Sequence, residues 1–211
     1  MADLILYGPA GAPYVRKVRG ALALKGEGHV LVEPRGPEDY RRWSPETGLL
    51  PVLEAGGHRI ADSARILDWL EARRPEPPLV SPDAVAAQQQ RRLERWVEDT
   101  LHFYWENSLR HQEQGRGGGR AEGLAAEFSQ RLDDLVNFLG RRPYFYGDAP
   151  SRADLAVFGF LGNLRHTTSP GVAAQVESRA ALRDHVERVS ERVREREWPA
   201  PRSVEEALGA G

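Results

Sequence analysis

The apolar positions of this chain change rhythm about a third of the way along. In the first stretch they come as short runs. Leu4-Ile5-Leu6-Tyr7 stops at Gly8-Pro9, and His29-Val30-Leu31-Val32-Glu33 stops at Pro34, as buried strands ended by turns do. Between them, from Tyr14 to Lys25, Val15, Val18 and Leu22 recur at helical spacing before Gly26 and Gly28 close the segment. This β-α-β order predicts two parallel strands with a helix packed across them. Pro51-Val52-Leu53-Glu54 and His58-Arg59-Ile60 flank Ala55-Gly56-Gly57, which predicts a hairpin. A helix follows at once, with Asp62 or Ser63 as its cap and Ile66, Leu67 and Leu70 on its apolar face, and it ends at Arg73-Arg74-Pro75. The first 74 residues thus read β-α-β, a connector containing Trp43, then β-β-α.

Pro75-Glu76-Pro77-Pro78 and Ser81-Pro82 are too stiff and too poor in donors for an element interior, and they mark a boundary. Beyond it the period is helical throughout. Leu93, Trp96/Val97, Leu101 and Tyr104 form one stripe, and Leu124, Phe128, Leu132, Leu135 and Leu139 another, joined by a flexible connection at Gly115-Arg116-Gly117-Gly118-Gly119. A third helix opens at Ser151, with Asp154 three residues on as its reciprocal cap, and carries Leu155, Phe158 and Leu161; a fourth covers Arg179 to Arg194. The tail after Trp198, with two prolines and small residues, is expected to be draped or disordered.

Four local matches, in the right order and spacing, carry a resemblance to the glutathione transferases over nearly the whole chain. They are Tyr7 to Arg19, Leu50-Pro51-Val52, Ala61-Asp62-Ser63-Ala64-Arg65-Ile66-Leu67, and Ser151-Arg152-Ala153-Asp154-Leu155-Ala156. The resemblance implies an α/β thioredoxin-like N-terminal domain followed by an all-α helical domain. The expected boundaries are residues 1–76, a linker at 77–85, helices over 86–200 and a tail at 201–211. It implies a cis-proline at Pro51 that turns the backbone of Leu50 toward the peptide of glutathione. An ordinary trans proline at a sheet edge is the competing reading of Pro51 alone. It also implies that Asp62 holds the γ-glutamyl amine and Ser63 the carboxylate. Both types are preferred helix caps anywhere, and the two roles are compatible. Ser151 and Asp154 match the family's folding signature and carry no chemistry.

The resemblance weakens where the chemistry should be. The family lowers the thiol pKa with a Tyr, Ser or Cys near the start of the first helix. Here Ala12-Pro13-Tyr14 stands where cysteine-type members carry Cys-Pro-Phe/Tyr, and Gly11 or Ala12 where serine-type members carry Ser. Two hydroxyls remain as candidate catalytic groups: Tyr14 in the first helical turn and Tyr7 at the end of the first strand. Arg16 or Lys17 is available to supply charge. Tyr7 also reads as packing, with its hydroxyl on a backbone carbonyl. A hydrophobic acceptor site is expected between the domains, lined by His102, Tyr104, Trp105 and Arg110. Helical neighbours diverge by about 100°, so part of that cluster must serve the core or a subunit contact.

Composition narrows the classes further. There is no cysteine, which excludes disulfides, Cys-ligated metals and a cysteine nucleophile. Of 29 basic residues only Lys17 and Lys25 are lysines, a skew that points to a GC-rich coding sequence. The formal net charge of −2 supplies no field toward nucleic acid or an anionic membrane, and no window has the 18 or so apolar residues that span a bilayer. The expectation is a soluble cytoplasmic protein without metal that takes glutathione or a related thiol as co-substrate. It would conjugate that thiol to a small electrophile, or use it in an isomerisation, a cyclisation or one natural-product step. The resemblance implies a homodimer. The alternative is a non-catalytic binding module on the same fold, such as a partner of RNA polymerase.

Overall fold

The computed structural model describes residues 4–114, 119–166 and 170–208. They divide into two units, Met1–Leu79 with Ser190–Gly211, and Val80–Val189. In the first unit β1 (Leu4–Tyr7), α1 (Pro13–Leu24), β2 (His29–Val32), α2 (Pro37–Trp43), β3 (Val52–Ala55), β4 (His58–Ala61) and α3 (Ser63–Arg73) follow in chain order. The sheet order is β2-β1-β3-β4, with β1 and β2 parallel and the other pairs antiparallel. Alternation along β1 separates the two faces. Leu4 and Leu6 are buried on the face that receives the apolar stripes of α1 and α3, while Ile5 and Tyr7 pack against Val32, Trp43 and Val204 on the other. The hairpin turn depends on Gly56 and Gly57, at φ 56° and 79°, the left-handed pair that matches strand twist. This is the thioredoxin-like half that the sequence predicts, except that the connector contains α2, whose seven residues are too few to show a period.

The second unit is helical: α4 (Ala84–Gln114), α5 (Gly119–Leu139), α6 (Arg152–Arg165), α7 (Pro170–Glu177) and most of α8 (Ala180–Arg192). α6 is central, buried almost all round from Arg152 to Leu164. Its start is fixed by Asp154, whose carboxylate accepts from the Ser151 amide (2.8 Å) and hydroxyl (2.7 Å) and from the Phe145 amide (2.9 Å). Arg152 forms a buried ion pair with Glu94 of α4. The glycine-rich connection expected at 115–119 falls mostly outside the described residues.

Residues 190–208 group with the first unit, and of the two expectations for the tail it is the draped one that is seen, with a short helix, α9 (Val204–Leu208). Arg202 pairs with β2 in parallel, its amide donating to the Leu31 carbonyl (2.8 Å) and its carbonyl accepting from Glu33 (3.1 Å). Arg19 donates to the Pro199 carbonyl (2.6 Å) and lies 4.6 Å over the Trp198 ring. Val204 is buried against Trp43. A short tail of this kind gives no periodic signal, so its docking was not legible locally.

Candidate functional site

Strand register alone gathers the candidate residues at one edge of the sheet. Tyr7 pairs with Val32 in parallel and with Val52 in antiparallel register, and Val52 pairs with Ala61. The ends of β1, β2 and β4 and the start of β3 therefore lie side by side, and the N-termini of α1 and α3 follow directly from two of them. Gly8 makes this packing feasible. A Cβ there would sit 2.5 Å from Val15 Cγ2 and 3.8 Å from both Leu50 Cβ and Pro51 Cα. Leu50–Pro51 is a cis peptide bond, as the resemblance implies; Glu76–Pro77, for which no such expectation arose, is also cis.

Asp62 bridges β4 and α3 with φ at 79°, a left-handed backbone that costs a non-glycine residue on the order of 1–3 kcal/mol. Its Oδ1 accepts from the amides of Ala64 (2.9 Å) and Arg65 (3.1 Å), so it caps the helix. Ser63, the first residue of α3, is buried, and its Oγ lies 3.2 Å from Nζ of Lys17, which is itself fully buried on α1. From sequence Lys17 is only a source of charge; its contact with Ser63 depends on how α1 packs on α3.

The start of α1 carries no nucleophile. Its N-cap is Ala12, followed by Pro13 and then by Tyr14, which is half-buried in the first turn. The preceding loop is held by Glu33, whose Oε1 accepts from the Ala10 amide at 2.7 Å. Next to it, Pro9, Glu33, Arg35 and Tyr40 are among the walls of a cavity of about 380 Å³.

Tyr7 projects from the opposite face of the sheet from Leu6. Its ring stacks on Trp43 with centroids 4.6 Å apart, and Arg59 lies 5.6 Å from its ring centre. Its hydroxyl donates to Glu54 Oε2 at 3.3 Å, a carboxylate instead of the backbone carbonyl considered from sequence. Burial, and then the Glu54 charge, push its pKa above that of a free tyrosine.

Of the expected acceptor-site residues, Tyr104 is buried in the second unit, its ring 4.9 Å from Phe128. His102 is half-buried, edge-on to Phe160 at 6.4 Å and 3.2 Å from Glu106. The Trp105 and Arg110 side chains lie outside the described residues. Among the described residues no helix is long and apolar enough to cross a membrane, and no group of three or more His, Cys, Asp or Glu is arranged to hold a metal ion.

A thioredoxin-like unit with a cis-proline edge and an Asp62-capped helix that opens on Ser63, followed by a helical unit, is a two-unit class that comparison with known proteins also finds. Residues 6–78 match the family model of the glutathione S-transferase N-terminal domain and residues 128–189 that of the C-terminal domain. Together they cover more than half of the chain, which belongs to the glutathione S-transferase family. Among solved structures it is similar to a glutathione S-transferase from Methylobacterium radiotolerans, solved in complex with glutathione sulfonate. That match has 27% identity and a TM-score of 0.70 and covers 96% of this chain and 97% of the other. A glutathione S-transferase from Rhodospirillum rubrum is 26% identical, with a TM-score of 0.69 and coverage of 86% and 91%. A bacterial zeta-class maleyl pyruvate isomerase shares the fold at 22% identity, with a TM-score of 0.72 and coverage of 90% and 94%. No match was found among curated proteins.

Proposed function

We propose that the first unit binds glutathione, or a related thiol with the same γ-glutamyl end, and adds its sulfur to a small electrophile. The observation that carries this reading is the placement of Ser63 at the N-terminus of α3, beside Asp62 and on the same sheet edge as Leu50 and Pro51. The positive end of a helix dipole and a hydroxyl donor suit a carboxylate. The Asp62 carboxylate suits an amine, while the Leu50 backbone offers peptide hydrogen bonds. The cavity beside Pro9 and Arg35 lies at the same end of the sheet, next to the ends of β1 and β2.

With Ala12 at the cap of α1, thiolate stabilisation falls to the helix N-terminus and to Tyr14 in its first turn. A hydroxyl donor aimed at sulfur, together with the dipole, lowers a thiol pKa by favouring the anion. Tyr14 is the preferred donor by its position in the first turn of α1, while the Tyr7 hydroxyl donates to Glu54. Isomerisation assisted by the bound thiol is a variant of the same chemistry, in line with the maleyl pyruvate isomerase likeness. We also propose the homodimer that family membership suggests, measurable by light scattering.

Conjugation of glutathione to chlorodinitrobenzene tests the enzyme reading: wild type should turn over and Tyr14→Phe should lower kcat. A second reading, a binding module without catalysis, is favoured by one observation, the absence of a side-chain hydroxyl or thiol at Ala12. It would be supported by tight glutathione binding with no turnover on a panel of electrophiles.

A further inference from the structure

The geometry points to a second ligand site in the first unit, a cavity that takes an uncharged aromatic compound while the thiol is bound. The cavity, of about 380 Å³, has all its walls in that unit. Among them are Pro9 from the β1–α1 loop, Glu33, Pro34 and Arg35 from the loop after β2, and Pro37 and Tyr40 from α2. Small-molecule sites run from roughly 300 to 1,000 Å³, and a cavity of roughly 150 Å³ already admits benzene.

The lining selects the ligand. Three pyrrolidine rings and the Tyr40 ring offer flat apolar faces, and proline against an aromatic ring is the pairing that proline-recognising grooves use. The prolines also fix the backbone, so little freedom is lost when a ring enters. Both charged groups of the lining are already matched. The Arg35 guanidinium donates to Asp39 Oδ2 (3.3 Å) and to Glu205 Oε1 (2.6 Å), and Glu33 Oε1 accepts from the Ala10 amide (2.7 Å). Hydrogen bonds from the Arg35 amide and guanidinium hold the Asp39 carboxyl below the usual carboxylate range, so this pairing persists at neutral pH. An anionic ligand would have to displace one of the Arg35 carboxylates or lie beside that of Glu33, and would give up its water for no new partner.

Strand order keeps this cavity apart from the thiol residues. Glu33 and Pro34 follow β2, whereas Ser63 follows β4. The order β2-β1-β3-β4 puts three strand spacings, about 14 Å, between those two ends. An extended tripeptide spans only about 10 Å. A thiol seated at Ser63 therefore need not enter the cavity, and simultaneous binding rests on that proposed seat.

The test is isothermal titration of 1,3-dinitrobenzene, and of 3,5-dinitrobenzoate as its anionic counterpart, into the full chain with and without saturating glutathione. Wild type should bind dinitrobenzene about tenfold or more tightly than dinitrobenzoate, whose carboxylate would be desolvated without a partner. Tyr40→Ala should weaken dinitrobenzene about fivefold through loss of ring contact and change glutathione less than about twofold. Saturating glutathione should alter the dinitrobenzene affinity less than about twofold, as uncoupled sites do. Equal affinity for the two nitro compounds, no binding of dinitrobenzene, or unchanged affinity in Tyr40→Ala would overturn the inference. So would displacement of dinitrobenzene by glutathione, or equal weakening of both in Tyr40→Ala. If dinitrobenzene binds as expected and glutathione not at all, the thiol-binding reading falls while the aromatic site is supported. Should Tyr40→Ala not fold, wild-type amide resonances decide: dinitrobenzene should shift those of Arg35 and Gly36, both in the lining, and shifts confined to other residues would overturn the site.

Discussion

Ala12 is the residue at which this site parts from a hydroxyl- or thiol-bearing helix start, and two tyrosines are left to divide the consequences. Tyr14→Phe should lower kcat for conjugation by about tenfold or more, within the range seen when a donor to a developing anion is removed. Tyr7→Phe should act on stability instead. Losing the bond to Glu54 costs about 1 kcal/mol of stability, seen as a lower unfolding midpoint with kcat unchanged. A silent Tyr14→Phe beside an inactive Tyr7→Phe would reverse the assignment. Asp62 and Ser63 stood out in the sequence because the resemblance points to an acid-Ser pair there; by themselves both are preferred helix caps. The partners of Tyr7 and Ser63 were not legible, because Glu54 meets Tyr7 across strands and Lys17 meets Ser63 across helices.

Two residues fix how neighbouring elements meet. Asp154 accepts three hydrogen bonds in a site with no exposure. Asp154→Ala should therefore destabilise the helical unit by about 3 kcal/mol or more, since buried donors left unpaired cost about 1–3 kcal/mol each. A urea midpoint followed by far-UV circular dichroism reads this directly. Gly8 lets β1, α1 and β3 meet. Gly8→Ala should cost about 1–3 kcal/mol through overpacking against Val15 and weaken thiol binding by shifting Leu50. Regular elements were legible wherever the period was long enough: the hairpin and the reciprocal cap at Ser151 stand as read. The short α2 and the C-terminal pairing of Arg202 with β2 were hidden because neither repeats, and buried Val204 finds its partners far away in sequence.

Across the whole molecule the sequence conveyed the domain order through four ordered motifs, while the allegiance of residues 190–208 depended on tertiary contacts. Stability should respond to acid through one histidine in each unit. Burial and then the Arg19 charge lower the His29 pKa to about 4, and Arg19 Nε donates to its Nε2 at 3.3 Å. Burial pushes the His185 pKa down against the pull of Asp154. Both bind protons less readily folded than unfolded, where histidine titrates near 6.5. Below about pH 6.5 the unfolded chain takes up protons that the folded chain refuses. Stability should thus be level in this respect above pH 7 and fall by up to about 1.4 kcal/mol per pH unit for each histidine below it. For His29 the fall continues to about pH 4. Denaturant midpoints from pH 7.5 to 4.5 should show the decline, and His29→Gln should reduce it; a flat profile would contradict the burial argument. The central claim, that the first unit is a thiol site centred on Ser63, is tested most directly by isothermal titration of glutathione into wild type and Ser63→Ala. The account predicts saturable binding to wild type that weakens about tenfold or more in the variant, as loss of a hydrogen bond to a charged group implies. No binding to wild type, or equal binding to both proteins, would contradict it.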